Sequence, residues 1–579
     1  MKIYFQKLSF CLLCWFMTVM ASGFIIETSA QAIIEGERAV PAEAKNGIVV
    51  TSHYLATTEA LQVLKKGGNA VDAAVTAAFA LAVTQPRSGN IGGGGFMLIS
   101  MQNTGSVIAI DYREKAPAAA SKNMFLDDKG DVDKFLSRFS HRAAGVPGTV
   151  AGLAVALEKF GTLSLAEALQ PAIRLAREGF IVTPRFSRGV KSRSLVLKKW
   201  ASSRKTFFKK DGSNYKPGDR FRQPDLAATL QRIEKSGQAG FYEGQTAALI
   251  VAEMEKNQGL ITAADLRNYR PLIRKPVHGT YRGFDIYSMS PPSSGGIHII
   301  QILNILEHYP IASMGHNSAK TIHLMAEAMK YAYADRARYL GDTDFVKVPV
   351  QGLIAKGYAR RIKDQIDPFK PRSSRDIHHG EPSGYESGET THFSIVDRFG
   401  NAVSNTYTIN FSYGSGIVVE GAGFLLNNEM DDFSAKPGVP NAYGLIGGES
   451  NRIQPGKRML SSMSPTIVKK QGKNMLVVGS PGGSRIITTT LQVIMNVVDH
   501  GLNIQSAVNA PRIHHQWFPD EIRVEEGISP DTVLLLRQMG HTVKQKRAMG
   551  AIQGILIDDN GNLYGGADPR RSTSSAMGH

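Results

Sequence analysis

The chain has 579 residues, of which 42% are hydrophobic and 20% are charged. This balance can bury a large core, and it excludes a disordered chain, a collagen-like chain and a small disulfide scaffold. Its 67 lysines and arginines against 50 aspartates and glutamates give a net charge of +17, which suggests nucleic acid, an anionic membrane surface or an acidic substrate as partners.

The first 32 residues are predicted to form a signal peptide. Lys2 and Lys7 precede an apolar run over residues 8–26, and Ala-Gln-Ala at 30–32 suits signal peptidase. An uncleaved anchor is disfavoured because no basic stop-transfer flank follows the run. We therefore expect the mature chain, from residue 33, to be periplasmic or secreted and without stable membrane insertion.

Several kinds of site are excluded by what the sequence lacks. Both cysteines lie in the signal segment, so the mature chain has no disulfide, thiolate nucleophile or zinc–thiolate site. There is no phosphate-binding G-x-x-x-x-G-K-[ST], no G-x-S-x-G and no H-E-x-x-H. The adjacent pairs His378-His379 and His514-His515 lack the spacing of a helical metal site, so we interpret both as solvated or locally hydrogen-bonded histidines.

Hydrophobic periodicity predicts a helix-rich first half. Strands are predicted at 47–52, 96–101 and 107–112, and helices at 56–66, 69–83, 149–159, 165–178, 225–236, 245–256 and 297–307. A polar stretch at 371–389 then predicts a flexible, exposed linker. No repeat of fixed period is visible, which disfavours a solenoid.

The chain changes character after this linker. Residues 392–397 and 402–409 alternate apolar and polar side chains around Asp-Arg-Phe-Gly-Asn at 397–401, which predicts a β-hairpin. Strands are also predicted at 475–479 and 552–557, and a buried helix at 486–500. From residue 390 onward there are 17 basic and 15 acidic residues, so this half is close to neutral.

Much of the positive charge lies in one basic segment, residues 185–222, with 13 basic and two acidic residues. Phenylalanines, Trp200 and Tyr215 interleave with these charges, and such a mixture can mark a nucleic-acid groove. No nucleic-acid-binding motif accompanies it. We therefore expect a solvated basic face and no nucleic-acid partner, with binding to anionic envelope polymers as a secondary hypothesis.

Four motifs occur in order in the second half. They are Asn-Thr-Tyr-Thr-Ile-Asn at 405–410, Leu-Leu-Asn-Asn-Glu-Met-Asp-Asp-Phe at 425–433, Met-Leu-Ser-Ser-Met-Ser-Pro-Thr at 459–466 and Gly-Ser-Pro-Gly-Gly-Ser-Arg at 479–485. With Arg-Ser-Gly-Asn-Ile-Gly-Gly-Gly-Gly at 87–95 and Pro-Pro-Ser-Ser-Gly-Gly at 291–296, the chain resembles the γ-glutamyltranspeptidases, and most of all the periplasmic bacterial members. The similarity covers essentially the whole mature chain.

This resemblance implies an α+β fold, the four-layer αββα sandwich of N-terminal-nucleophile hydrolases. It also implies that the precursor cuts itself between Glu389 and Thr390. The products would be a large subunit, 33–389, and a small catalytic subunit, 390–579, which build the sandwich jointly and stay associated as a heterodimer. At roughly 150 residues per domain, the chain length alone would suggest about four domains, and the jointly built sandwich departs from that expectation.

By the same resemblance, Thr390 is the nucleophile. A threonine at a strand start is by itself an ordinary β-former, but a newly freed α-amine can serve as the base for its hydroxyl near neutral pH. Thr408 would position that hydroxyl. The backbone N–H groups of Gly482 and Gly483 would stabilise the oxyanion, a role that needs close backbone approach.

The resemblance also assigns the residues that recognise a γ-glutamyl group. Arg113 would bind its α-carboxylate, together with the hydroxyls of Ser461 and Ser462. The α-ammonium would be held by Asn410, Glu429 and Asp432. A glycine-, proline- and asparagine-rich stretch at 437–451, which contains Tyr443, resembles the lid loop of some members.

The implied activity is γ-glutamyl transfer and hydrolysis, in which a threonine-bound acyl group from glutathione or another γ-glutamyl amide passes to water, an amino acid or a peptide. One alternative is a cephalosporin acylase of the same fold, whose glutaryl substrate lacks the α-ammonium that Asn410, Glu429 and Asp432 would bind. Another is a non-catalytic cationic protein that binds the envelope, which would remain uncut and bind with steep salt dependence.

Overall fold

The computed structural model describes residues 39–380 and 392–579. The predicted signal peptide, the predicted cleavage site at Glu389 and Thr390, and the last part of the predicted linker lie outside the described residues. Within these two ranges, no helix has both the length and the apolar character needed to cross a membrane.

Most strands of the described chain belong to two seven-stranded sheets. The strands are β1 (Ala42–Ala44), β2 (Gly47–Thr51), β3 (Gly94–Ser100), β4 (Val107–Tyr112), β5 (Phe180–Ile181), β6 (Arg220–Phe221), β7 (Leu272–Arg274), β8 (Val277–Tyr281), β9 (Phe284–Ser288), β10 (Phe393–Asp397), β11 (Ala402–Thr408), β12 (Thr466–Lys470), β13 (Lys473–Gly479), β14 (Ile513–His514), β15 (Ile522–Val524), β16 (Val543–Gln545), β17 (Gln553–Ile557), β18 (Leu563–Ala567) and β19 (Ser575–Gly578). One large sheet has the order β1-β18-β17-β13-β12-β9-β8 and the other β19-β2-β10-β11-β3-β4-β7, and both are antiparallel throughout.

The helices of the described chain pack against these sheets and against one another. They are α1 (Tyr54–Lys65), α2 (Ala70–Thr84), α3 (Leu136–Phe139), α4 (Thr149–Phe160), α5 (Leu165–Glu178), α6 (Pro184–Ser192), α7 (Ser194–Leu197), α8 (Ala201–Phe207), α9 (Pro224–Ser236), α10 (Ala239–Tyr242), α11 (Gly244–Lys256), α12 (Ala263–Arg267), α13 (Gly295–Leu306), α14 (Ile311–Met314), α15 (Ala319–Tyr339), α16 (Val350–Leu353), α17 (Lys356–Lys363), α18 (Arg485–Val498), α19 (Ile504–Asn509) and α20 (Pro530–Gln538).

The buried side chains show how the layers stack, because successive residues of a strand face opposite sides of its sheet. On β2, Ile48 and Val50 belong to an apolar cluster between the two sheets, whereas Val49 packs with helices. Val477 and Ile555 of the other sheet complete the inter-sheet cluster, and a further cluster packs β12 and β13 against α13, α15 and α18. The predicted αββα sandwich of α+β class is confirmed.

The predicted hairpin is observed as β10 and β11, in which Phe393 pairs with Asn405 and Val396 with Ala402. The Asp397 carboxylate closes the turn by accepting hydrogen bonds from the backbone N–H groups of Phe399 and Asn401 at 2.9 and 3.0 Å. Gly400 supplies the left-handed conformation that the turn requires, with φ of 79°. The turn residues therefore set the register that brings β11 beside the start of β10.

The longest helix, α15, is not among the predicted elements. It is buried on nearly every side, so it lacks the amphipathic stripe by which surface helices are recognised. Its buried charges are paired within the protein. Lys330 Nζ lies 2.9 Å from Glu327 Oε1, and Asp335 accepts hydrogen bonds from Gln301 and Tyr358 at 2.6 and 2.8 Å.

The described part of the predicted linker, residues 371–380, contacts the rest of the protein. Ser374 and Ile377 are buried, and the Ser374 backbone N–H donates to Asp520 Oδ2 at 2.8 Å. The Gly380 N–H donates to Asp335 Oδ1 at 2.9 Å. Hydrogen bonding by backbone groups, which composition does not reveal, attaches this stretch.

The basic segment 185–222 contains α6, α7, α8 and β6. Its phenylalanines form a packed group, in which the Phe207 and Phe221 rings stack at 5.9 Å and are at most 1% exposed. Phe186 and Phe208 are also buried. Most of the lysines are exposed, so the aromatic side chains serve the core and the charges face water.

Candidate active site

Six of the residues named from the resemblance lie around one cavity of about 270 Å³. Its wall includes Thr408, Asn410, Glu429, Asp432, Gly482 and Gly483, together with Tyr443 of the lid stretch. Thr408 ends β11, and its Oγ1 accepts a hydrogen bond from the Asn410 N–H at 2.8 Å. Three of the four second-half motifs and the lid stretch therefore meet at the end of the hairpin.

Arg113 is buried behind this cavity and binds two of its acidic residues. Its Nη1 lies 2.7 Å from Glu429 Oε2, and its Nη2 lies 2.7 Å from Asp432 Oδ2. A third carboxylate, that of Glu114, lies 3.4 Å from Nη1. Arg113 and Glu429 are fully buried, and Asp432 is 9% exposed, so this cluster differs from the surface ion pair that neighbouring charges alone would suggest.

Three carboxylates surround Arg113 in this cluster, and burial shifts the titration of two of them, Glu114 and Asp432. Burial raises the pKa of Glu114 to about 7, against the opposing effect of Arg113, while Asp432 raises it further. Burial also raises the pKa of Asp432, against the opposing effect of Arg113. An additional cation in the cavity would relieve the excess negative charge.

Ser461 and Ser462 are fully buried, and neither Oγ has a hydrogen-bond partner among residues 39–380 and 392–579. Unpaired buried hydroxyls are uncommon and point to a ligand or water. The 291–296 motif holds the segment that contains these two serines, because Ser294 donates from both its N–H and its Oγ to the Ser461 carbonyl. Arg113 Nε also donates to the Met459 carbonyl at 3.4 Å.

The glycine run at 92–95 lets the two halves of the site approach each other. A Cβ on Gly93 would collide with the Thr408 carbonyl, and one on Gly94 would lie 2.6 Å from Glu114 Oε2. Any side chain at these positions would separate β11 from the Arg113 loop. The run therefore has a structural role in bringing Thr408 and Arg113 together.

Gly482 and Gly483 precede α18 and expose backbone N–H groups to the cavity. Both have positive φ, 142° and 61°, which favours glycine. In the described part of the chain, no acceptor takes a hydrogen bond from either N–H. Unpaired N–H groups before a helix form a site for a negative oxygen.

Tyr443 covers this site from the lid stretch. Its hydroxyl donates to Asn410 Oδ1 at 2.7 Å, and its ring lies against Gly483, where a Cβ would be 2.7 Å away. Gln516 holds the lid by donating to the Tyr443 carbonyl at 3.3 Å, and its own Oε1 accepts from Ser484. The lid stretch therefore contacts the cavity wall at both Asn410 and Gly483.

Sequence reasoning missed three arginines of the same wall, Arg87, Arg485 and Arg571. Arg87 and Arg485 lie inside recognised motifs, which could have identified them. Arg571 follows β18, outside any recognised motif. Sequence reasoning also missed Arg336 on α15, whose Nε donates to Ser294 Oγ at 3.0 Å.

One group of residues away from the cavity has metal-ligand chemistry. The ligand atoms of His323, Glu327 and His541 lie within 4.8 Å of one another. However, His323 Nδ1 and His541 Nε2 are hydrogen-bonded at 2.7 Å, and Lys330 lies 2.9 Å from Glu327. The cluster is thus internally satisfied. Of the adjacent histidine pairs in the sequence, His514 is hydrogen-bonded to Thr488 and Gln516, and burial lowers its pKa to about 3.

Comparison with known proteins agrees with the family that the motifs indicate. The model of the γ-glutamyltranspeptidase family matches residues 56–578. A glutathione hydrolase proenzyme from Escherichia coli (strain K12) is 54% identical over 93% of each chain. Thus the relatedness extends along the described fold.

Solved structures show the same fold. A cephalosporin acylase from Bacillus halodurans superimposes with a TM-score of 0.84 and 28% identity, covering 95% of this chain and 98% of its own. A γ-glutamyltranspeptidase from Helicobacter pylori has a TM-score of 0.56 and 51% identity, covering 57% of this chain and 94% of its own. The acylase is therefore a related member with the same architecture.

Proposed function

The chain belongs to the γ-glutamyltranspeptidase family, and from that premise we propose how its residues carry out γ-glutamyl transfer and hydrolysis. The donor is glutathione or another γ-glutamyl amide, as the name of the Escherichia coli relative suggests. One observation carries the proposal: the cavity combines Thr408, two unpaired glycine N–H groups and an Arg113–carboxylate cluster. These are the groups that acyl transfer from an α-amino acid requires.

Thr390 is the proposed nucleophile. The hairpin supports this role, because its first pair joins Phe393, three residues after Thr390 in the sequence, to Asn405, three residues before Thr408. The Thr390 hydroxyl would attack the γ-carbonyl and give its proton to the free α-amine of the same residue. The N–H groups of Gly482 and Gly483 would hold the resulting oxyanion.

Collapse of this intermediate breaks the carbon–nitrogen bond. The leaving amine departs with the proton that the α-amine received, and the γ-glutamyl group stays as an ester on Thr390. Attack by water releases glutamate, and attack by the amine of an amino acid or peptide forms a new γ-glutamyl amide. No metal or organic cofactor takes part in these steps.

The α-amino acid end of the donor would bind in the Arg113 cluster. Its carboxylate replaces Glu429 and Asp432 on the guanidinium and accepts from the unpaired hydroxyls of Ser461 and Ser462. Its ammonium then pairs with the released carboxylates and with Asn410. The three acids of this cluster favour such a cation, and a glutaryl group would not supply one, so the observation disfavours the acylase alternative.

Activation would follow self-cleavage between Glu389 and Thr390, which creates the α-amine that serves as base. The large subunit would be 33–389 and the small subunit 390–579, with the two held together by sheets that draw strands from both. β10 of the small subunit lies between β2 and β11, for example. A signal peptide at residues 1–32 would direct the precursor to the periplasm and be removed on export.

The decisive experiment combines intact-mass and N-terminal analysis with a γ-glutamyl anilide assay on one purified sample. We expect two fragments, the smaller beginning at Thr390, and release of the anilide. Thr390→Ala should stay uncut and inactive. A single uncut chain in active material, or a cut Thr390→Ala, would contradict the proposed mechanism.

A further inference from the structure

The outer wall of the cavity carries positive charge that the γ-glutamyl group does not use. Arg87, Arg485 and Arg571 are part of it, and Arg87 and Arg571 are partly exposed whereas Arg113 is fully buried. Neither Arg87 nor Arg571 makes a side-chain ion pair or hydrogen bond with any described residue. The carboxylates of this wall, Glu429 and Asp432, are engaged by Arg113.

The surroundings do not compensate these charges either. Asp568 is the acid whose charge acts on the pKa of Arg571, but its carboxylate already binds Arg512 at 2.6 Å and Arg570 at 3.3 Å. Burial, with the neighbouring guanidinium groups of Arg185 and Arg87, lowers the pKa of Arg571 to about 9. It therefore remains cationic at neutral pH, and the wall attracts an anion.

The basic segment adds to this positive region. Its helix α6 lies close to Arg87. A Cβ placed on Gly189 of this helix would be 3.7 Å from Arg87 Nη1. Burial lowers the pKa of Arg185, with Arg87 and Arg188 adding to the effect. Positive charge of the basic segment thus lies beside Arg87 of the cavity wall.

We propose that Arg87 and Arg571 form a carboxylate subsite for the peptide that leaves from the donor and for the peptide that accepts the γ-glutamyl group. This inference rests on the proposed function. In a dipeptide leaving group, the free carboxylate lies about 7 Å from the scissile nitrogen at full extension. A cavity of about 270 Å³ has room for a leaving group of that length.

One subsite serves both peptides because both occupy the same place in the reaction. The acceptor amine attacks the acyl carbon along the path by which the leaving amine departed. A carboxylate held by two guanidinium groups would orient either amine, with charge-assisted hydrogen bonds. The subsite would favour peptides with a free C-terminal carboxylate over their amides.

The donor arm of the test compares two substrates that differ in the leaving group. Glutathione leaves a carboxylate-bearing dipeptide, and a γ-glutamyl anilide leaves an uncharged amine. For Arg87→Gln and Arg571→Gln, we expect the ratio of kcat/KM for glutathione to that for the anilide to fall about tenfold each, and further in the double variant. Arg87→Lys should recover part of the ratio.

The acceptor arm uses the anilide as donor and compares glycylglycine with glycylglycinamide. The parent should prefer glycylglycine, and the double variant should lose that preference. The exposed Arg177→Gln, with Arg177 paired only with Glu178 at 3.9 Å, is the control for net charge and should change neither ratio. Raising the salt concentration should lower the glutathione-to-anilide ratio in the parent and leave the double variant unaffected.

An unchanged ratio in a processed, active double variant would overturn the subsite, and so would an equal loss on both donors or the same loss in Arg177→Gln. A change in one arm alone would show that the site binds only the leaving peptide or only the acceptor peptide, which would contradict a shared subsite. If the parent itself does not cleave the anilide, the proposed function fails instead. The two failures are therefore distinguishable.

Discussion

The inner and outer parts of the cavity carry charge in opposite ways. Inside, the buried Arg113 is surrounded by Glu114, Glu429 and Asp432, so negative groups exceed positive ones. Outside, Arg87 and Arg571 have no acidic partner in the described ranges. In our proposals, the inner part binds a zwitterion that brings its own cation, and the outer part binds an anion.

This contrast shows why net charge is a poor guide to the site of this protein. The second half of the sequence is nearly neutral, and the basic segment belongs to the first half. The fold brings charges from both to one cavity, where they separate by depth rather than by position in the chain. The following predictions test the contrast, from the largest expected effect to the smallest.

Arg113→Ala should abolish the inner part. We expect normal processing but a loss of about 10³ in kcat/KM for a γ-glutamyl anilide, because the donor's α-carboxylate loses its guanidinium partner while the buried acids remain. Intact mass and steady-state kinetics measure the two effects. The control is Arg138→Ala, which removes the neighbouring ion pair with Asp431 and should lower kcat/KM less than threefold. Comparable losses in the two variants would contradict a special role for Arg113.

Asp432→Asn should sharpen the distinction between a γ-glutamyl and a glutaryl donor. Removing this carboxylate weakens binding of the α-ammonium, so the ratio of kcat/KM for γ-glutamyl over glutaryl anilide should fall about tenfold. Asp431→Asn is a matched control, because Asp431 bonds Ser137 and Arg138 instead. If both variants keep the parent's ratio, Asp432 does not recognise the ammonium.

Tyr443→Phe tests the lid that contacts both parts. It removes the hydrogen bond to Asn410 but keeps the ring over Gly483, so water should enter more easily. We expect the ratio of hydrolysis to transfer to rise about two- to fivefold, as measured by product analysis with a fixed acceptor. Tyr443→Ala should raise it further, and an unchanged ratio in that variant would exclude shielding by the lid.

Glu114→Gln tests the excess negative charge through stability. The folded-state pKa of Glu114 is raised from 4.5 to about 7, so its ionisation destabilises the fold progressively as the pH rises through that interval. The difference in Tm, variant minus parent, should therefore become more positive by about 2–5 °C between pH 4.5 and pH 8. The exposed Glu158→Gln should give the same difference at both pH values. A pH-independent difference for Glu114→Gln would refute the shifted titration.

Most of the regular fold was predictable from local signals. The predicted helix at 165–178 is observed as α5, because Ser164 and Glu167 form a capping box before an amphipathic stripe. The hairpin at 392–409 was predictable because its turn chemistry is local. Helix α15 was not predictable, since a helix buried on all sides has no stripe, and its charged residues find partners only in the tertiary structure.

The motifs named the inner residues but not the contacts among them. The sequence by itself determined the family and predicted which side chains bind an α-amino acid, because motif order and residue chemistry are local properties. Only the tertiary structure decided that Arg113 binds Glu429 and Asp432 and that Arg87 and Arg571 share one wall 484 positions apart in the chain. Electrostatic interaction depends on distance and burial, and folding alone determines both for residues so far apart in sequence.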